Sequence, residues 1–329
     1  MWSYAMTEER AKHVRALQMA AVAALLAATV LAQTPNGPVF LHVAQKLAHP
    51  VVFGICSLLI LSLRHRLPLH DMSLRITEYA SAFAITVGAG VMSEIAQGFT
   101  HRDPSIIDVL RDSLGAATAL AGHCFVSGTG ASGPRRGRGV RMGAGVVCAL
   151  GFVAASAPMV WCLAAYANRD LHAPVLWQPR SALDMYFADA RGCELRDYGA
   201  LATPDNTPPS LCVALPSSEG SAGFVLREPY PDWRGRSTLM IDLSNPTSQA
   251  LQLTVRVNDR SHNQEEQDRY NRSFVVAAQM RCVIAIPVAE IAAAPRGRRM
   301  DLEHIAHMAV FRSGRSGDAR LVLRRIWLQ

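Results

Sequence analysis

The chain has 329 residues, of which 50% are hydrophobic and only 18% charged, against roughly 25% charged in ordinary soluble domains, and it carries a formal net charge of +7. Its basic residues cluster in short loops between apolar runs with no interleaved aromatics, which excludes a nucleic-acid-binding surface and points to membrane topology and phospholipid contact. The composition shifts near residue 168 from Ala, Leu, Val and Gly runs to polar, Pro-containing segments, so two domains are expected.

Apolar runs of bilayer length, about 20 residues with a lower limit near 17, occupy 16–32, 47–63, 76–95, 106–126 and 142–167. They predict five membrane helices within a domain of residues 1–168. The first run follows "ERAKHVR" and has the form of a signal peptide, but further spans come after it, so it reads as a retained anchor. Basic residues set the orientation. Arg10, Lys12 and Arg15, then Arg64, Arg66 and Arg75, then Arg135, Arg136, Arg138 and Arg141 fall in alternate loops, while the loops between hold only Lys46 and Arg102. The N-terminus is therefore expected in the cytoplasm of a multi-pass inner-membrane protein, and residues 184–329, after a linker at 169–183, are expected outside it.

Cys56, Cys124, Cys148 and Cys162 lie in the expected helices as small apolar packing residues. Outside, Cys193 and Cys212 read as free buried thiols, with a disulfide between them the alternative. The run "GTGASG" at 128–133 fits a dinucleotide-binding glycine pattern in letters only. It lies in an arginine-rich loop and not in a strand–turn–helix unit, so it reads as linker and no cofactor is implied.

Helical spacing gathers polar residues at one end of three helices. Lys46, His49 and Phe53 share a face of the second, Glu94 and Gln97 a face of the third, and Asp108, Asp112 and Gly115 a face of the fourth. Ionisable groups in a spanning helix cost about 2.5 to 3.5 kcal/mol each at its centre and are usually paired or wet. Lys46 or Arg102 are the expected partners of Glu94, Asp108 and Asp112. "SIID" also reads as a capping box, with Ser105 at the N-cap and Asp108 three residues on. Capping leaves Asp112 unexplained, and Glu94 near a helix C-terminus opposes the dipole. Arg111 is expected to snorkel to the headgroups.

The stretch "EIAQGFTHRDPSIIDVLRDSLG", with "KLAHPVVF" before it, resembles the VanZ-like membrane proteins over about residues 16–125. The likeness carries over Lys46, His49, Glu94, Gln97, Arg102, Ser105, Asp108 and Gly115. Asp112 stands where that family's signature has Asn or a similar residue, and Pro50 where an aromatic is usual. The resemblance implies a cell-envelope role related to glycopeptide resistance and supplies no chemistry.

Beyond residue 182, "SLCVALP", "GFVLREP", "STLMIDLSN", "LQLTVRVND", "RSFVVAA", "RCVIAIPV" and "RLVLRRIWLQ" read as strands, with "PVAEIAAAP" a short helical turn. The expected architecture is therefore α+β and multidomain, a five-helix transmembrane bundle followed by an exported all-β jelly roll. "DWRGRSTLMIDLSNP" and "LVLRRIWLQ" resemble galactose-binding-like, carbohydrate-binding modules. That resemblance implies a glycan site built from aromatic faces and hydrogen-bonding side chains. The candidates are Tyr230 and Trp233 with Asn258, Asp259, Arg260, His262, Asp268, Arg269, Tyr270 and Asn271, against the alternative of a long solvated hairpin loop. Asp259 and Asp268 are also weak calcium candidates.

The function read from these features is a VanZ-like envelope protein with membrane lipids as partners, an exported domain that binds a glycan or glycolipid, and a polar headgroup site at Lys46, His49, Glu94, Gln97, Arg102, Ser105, Asp108 and Asp112. The exported domain shows no catalytic motif. An intramembrane hydrolase or transferase acting on a lipid-linked sugar would use Glu94, Asp108, Asp112 or His49. Proton-coupled transport would need polar residues through the other leaflet, where Glu78 stands alone.

Overall fold

The computed structural model describes residues 2–31, 37–64, 72–99, 104–127, 136–197, 210–215, 221–313 and 319–329. The chain divides into two compact units, Met1–Val160 and Trp161–Gln329.

The first unit is helical: α1 (Trp2–Leu31), α2 (Val39–Arg64), α3 (Met72–Gly98), α4 (Ile106–Val126) and the start of α5 (Arg136–Leu171). Most of these helices outrun their apolar stretches, because polar residues such as Glu9 and Lys12 continue the helix where no Pro or Gly stops it. Among the described residues, three segments are apolar enough, by length and composition, to cross a membrane: Val39–Leu63, Ile76–Gly98 and Arg138–Leu171. The helix α4 carries Asp108, Arg111 and Asp112 and is not among these three. Its buried residues Asp112, Gly115, Ala116 and Leu120 form one stripe at helical spacing, which packs on α2 and α3. Phe53, Cys56, Ile60 and Leu61 of α2 and Ala82 of α3 complete this core. The crossing of α2 and α4 is close. A Cβ on Gly115 would lie 2.0 Å from the Pro50 carbonyl oxygen and 2.4 Å from its Cα, so only glycine fits. Outward faces remain apolar, with Leu17, Val51, Met92, Ile106, Leu150 and Phe152 all exposed.

The second unit begins in the last turns of α5 and folds as two antiparallel sheets. Its strands are β1 (Val175–Trp177), β2 (Ala188–Arg191), β3 (Glu194–Asp197), β4 (Leu211–Leu215), β5 (Ser221–Arg227), β6 (Thr238–Asn245), β7 (Leu251–Asp259), β8 (Tyr270–Val276), β9 (Met280–Pro287), β10 (Ile305–Ser313) and β11 (Ala319–Leu328). One sheet runs β3-β4-β11-β6-β9 with β1 also on β11, and the other runs β2-β5-β10-β7-β8. The expected helical turn is α6 (Val288–Ala292). Alternation explains the layering. Leu251, Leu253, Val255 and Val257 of β7 are buried, and so are Ile241 and Leu243 of β6, Ile284 and Ile286 of β9, and Leu321 and Leu323 of β11.

Two differences from the sequence reading stand out. Residues 169–183 are not a free linker, since they hold the end of α5 and β1, which pairs with β11. The short strands β2 and β3 and the central strand β10, flanked by β5 and β7, are additional to the expected strands, β10 being the most consequential. Strand β10 is buried on both faces and so lacks the polar alternation that marks β7.

Candidate functional site

In the helical unit, three helices bring His49, Glu94, Gln97 and Asp112 together as buried polar side chains. Gly115 sets the first contact. By letting α4 lie against Pro50, it places Asp112 Oδ1 3.1 Å from His49 Nδ1. The imidazole stacks on Phe53, ring centroids 6.5 Å apart and planes 8° from parallel, which fixes its orientation. Gly90 of α3 opens room on the other side, since a Cβ there would stand 3.1 Å from Asp112 Oδ2.

The capping-box expectation is corrected. Ser105 does occupy the N-cap of α4, but its side chain makes no capping hydrogen bond. The Ser105 N–H instead donates to Glu94 Oε2 at 2.8 Å, and Asp108 accepts from Arg111. Glu94, unfavourably placed for its own helix, therefore meets the positive end of the next one. Arg111 is the partner of Asp108.

Lys46 is exposed and, among the described residues, makes no ion pair with Glu94, Asp108 or Asp112. His49 takes that place. Arg102 lies outside the described residues. Glu94 Oε1 and Asp112 Oδ2 are buried and have no hydrogen-bond partner among the described residues. Donor atoms of His49, Glu94 and Asp112 all lie within 4.8 Å of one another.

In the sandwich, the polar connection expected to hold a sugar is largely engaged with itself. Arg298 donates to both oxygens of Asp259, at 2.6 and 2.9 Å, and through Nε to Asp268 Oδ1. Asp259 also accepts from the Asp301 N–H at 2.7 Å and Asp268 from the Asn263 N–H at 2.9 Å. A guanidinium thus stands between the two carboxylates offered as calcium ligands, which corrects that alternative. His262 Nδ1 bonds the Asp268 carbonyl at 2.9 Å, and the buried Tyr270 hydroxyl donates to Glu290. Trp233 is fully buried and donates to the Tyr230 carbonyl oxygen at 2.8 Å, so its ring presents no stacking face to a sugar. Arg260 is exposed, and Asn258, Arg269 and Asn271 are half-buried. Cys193 and Cys212 form no disulfide among the described residues, and the Cys193 thiol donates to the Gly223 carbonyl.

Asn258 and Asn271 belong instead to a different surface, the outward face of the sheet β2-β5-β10-β7-β8. The register sets His307 opposite Arg227 on one side and Asn258 on the other, then Ala309 opposite Val225 and Arg256, and Phe311 opposite Gly223 and Thr254. Directly opposed residues share a face. Val225, Ala309 and Phe311 form an apolar floor. Above it the Arg256 guanidinium lies 4.6 Å from the Phe311 ring centroid and donates to Asn271 Oδ1 at 3.1 Å. Burial, with Arg269 and Arg191 nearby, pulls the Arg256 pKa below its ordinary value. Burial and then Arg256, Arg227, Arg191 and His262 push His307 down to about 4. The sequence signal missed here was the polar half of the β7 alternation, which marks a face only once β10 is known to lie beside it.

This crowding has a testable consequence. With a folded-state value below the ordinary 6.5, His307 is neutral in the fold, and its contribution to stability is complete above pH about 6.5 and lost as pH falls from there through about 4. At about 1.4 kcal/mol per unit, the loss over the whole range is about 3 to 4 kcal/mol, of which about 2 falls above pH 5. Denaturant titrations followed by tryptophan fluorescence are expected to show a falling midpoint between pH 7 and 5, flattened in His307→Gln.

No family model matches the chain, so the VanZ-like resemblance rests on its motif residues alone, and no curated protein matches it. Among solved structures, the chain is similar to a family 11 carbohydrate-binding module from Clostridium thermocellum, in complex with a β-1,3-1,4-mixed-linked tetrasaccharide. That match has 14% identity and a TM-score of 0.37, and covers 47% of this chain and 93% of the module. It is also similar to an exo-β-agarase, at 12% identity and a TM-score of 0.38, over 47% of this chain and 24% of that one.

Proposed function

We propose that the chain is a multi-pass, VanZ-like protein of the cell-envelope membrane whose exported sandwich binds an acidic glycan or glycolipid on the face of β2-β5-β10-β7-β8. The observation that carries this reading is the set of Arg191, Arg227, Arg256 and His307 around the floor of Val225, Ala309 and Phe311. Cations crowded on an apolar floor match a sugar ring with a carboxylate, phosphate or sulfate substituent. The anion relieves the repulsion among the arginines, and the ring packs against the Arg256 guanidinium that lies over Phe311. The membrane reading is supported by the long apolar segments and their exposed apolar faces. The cluster around Asp112 serves as the site for a lipid headgroup.

The test is a glycan screen on the full chain in lipid nanodiscs, with acidic and neutral oligosaccharides compared at matched size. Acidic sugars are expected to bind, and Arg256→Ala to weaken them about tenfold or more, since a hydrogen bond to a charged group is worth about 1.5 to 3 kcal/mol. Equal binding of neutral sugars, or unchanged binding in Arg256→Ala with Arg227→Ala, would sink the reading. Because an anion favours imidazolium, binding is also expected to tighten as pH falls from 7 toward 5, an effect lost in His307→Gln.

A further inference from the structure

We infer that His49, Glu94 and Asp112 form a binding site for a divalent metal ion of the zinc or manganese class. Each comes from a different helix, α2, α3 and α4, and all three are buried. Their donor atoms already lie within 4.8 Å of one another. Ligands held about 2.0 to 2.2 Å from one ion stand roughly 3 to 4 Å apart, so small side-chain rotations close the site. The 3.1 Å between His49 Nδ1 and Asp112 Oδ1 is already that of neighbouring ligands.

Electrostatics supplies the second argument. Two buried carboxylates face one imidazole, and Arg111, the cation nearest in sequence to Asp112, is held by Asp108. Among the described residues Glu94 Oε1 and Asp112 Oδ2 each lack a hydrogen-bond partner, a costly state for a buried carboxylate oxygen. A divalent cation neutralises both carboxylates and takes both orphaned oxygens. One imidazole nitrogen and two carboxylate oxygens suit zinc, manganese or ferrous iron. They do not suit cuprous copper, which favours sulfur, or calcium, which favours an all-oxygen shell.

Three protein ligands leave positions open on the ion. This deepens the headgroup reading of the same cluster. On its own the acidic pocket repels an anionic headgroup, whereas a bound cation reverses the sign of the site and offers a coordination position to a phosphate or carboxylate oxygen.

The experiment uses the purified full chain in detergent, stripped with chelator and then given Zn2+ or Mn2+ alone. Retained metal is measured by mass spectrometry, Mn2+ by electron paramagnetic resonance, and stability by thermal melting. About one ion per chain is expected, together with a rise in melting temperature. Glu94→Gln, Asp112→Asn and His49→Gln are each expected to lose affinity by about tenfold or more, while Asp170→Asn, at an exposed carboxylate near the end of α5, binds as the native chain does. The Gln and Asn variants keep side-chain shape and remove buried charge, so each is checked for a monodisperse, helical state before titration. Wild-type retention no higher than that of Asp112→Asn, or no thermal response to either ion, overturns the site. Headgroup binding is measured separately with phosphatidic acid and phosphatidylcholine vesicles. Acidic-lipid binding that survives full metal removal overturns the metal's part in headgroup binding and leaves the headgroup reading standing, whereas metal binding without lipid binding overturns the headgroup reading and leaves the metal site.

Discussion

Gly115→Ala is expected to destabilise the helical unit by about 2 to 3 kcal/mol, and Gly115→Leu to prevent its assembly. The added Cβ would lie 2.0 Å from the Pro50 carbonyl oxygen and within 2.5 Å of its Cα and carbonyl carbon. All three are backbone atoms, so no side-chain rotation relieves the clash and α2 must move as a body. Overpacking usually costs about 1 to 3 kcal/mol, and a contact with rigid backbone belongs at the top of that range. Helix packing at such a point depends on small residues that let two backbones approach. The displacement would also separate His49 from Asp112, which stand on either side of this contact. Gly88→Ala is the control. A Cβ there meets nothing within 4 Å, and exchanging Gly for Ala in a helix gains about 0.5 to 1 kcal/mol, so that variant is expected to melt at or slightly above the native temperature. Thermal melting of the three variants in one detergent separates the outcomes. A Gly115→Ala midpoint equal to that of Gly88→Ala would refute the close crossing.

The same crossing shows what the sequence could and could not reveal. Apolar runs of sufficient length announce helices, and helical spacing alone put His49, Glu94, Gln97 and Asp112 on converging faces. Partner choice was not legible. Lys46 shares the face of His49 but lies one turn nearer the helix end, where it is exposed, while Phe53 and Pro50 hold His49 against Asp112. Glu94 seemed misplaced because only its own helix was in view, and its partner is the N–H of Ser105 at the start of the next one. In the sandwich, strict alternation exposed β7, whereas β10 hid because both of its faces are covered. Polar density was the misleading signal. The connection between β7 and β8 is rich in hydrogen-bonding groups, but Asp259 and Asp268 are held by Arg298, a residue well downstream on the chain that no local pattern would link to them.

That arginine supplies the second large expected effect. Arg298→Met is expected to cost the sandwich roughly 2 to 4 kcal/mol. Removing one partner of a buried ion pair typically costs about 3 to 5 kcal/mol, and the partial exposure of Arg298 lets water recover some of it. Asp259 suffers most, because its side chain is fully buried and, among the described residues, would keep only the Asp301 N–H as a donor. Arg298 is also the first cause holding Asp268 near a pKa of about 2. A carboxyl held below its ordinary value stabilises the fold above pH about 4, and that contribution fades as pH falls toward 2. In Arg298→Met the Asp268 part of this acid limb is expected to shrink, so native and variant midpoints converge at low pH. Arg298→Lys restores a charge but not the fork that spans two carboxylates, and is expected to recover less than half of the loss. If Asp259 and Asp268 instead held calcium, Arg298→Met would be rescued by calcium and the native chain destabilised by chelator. The guanidinium between the two carboxylates predicts neither.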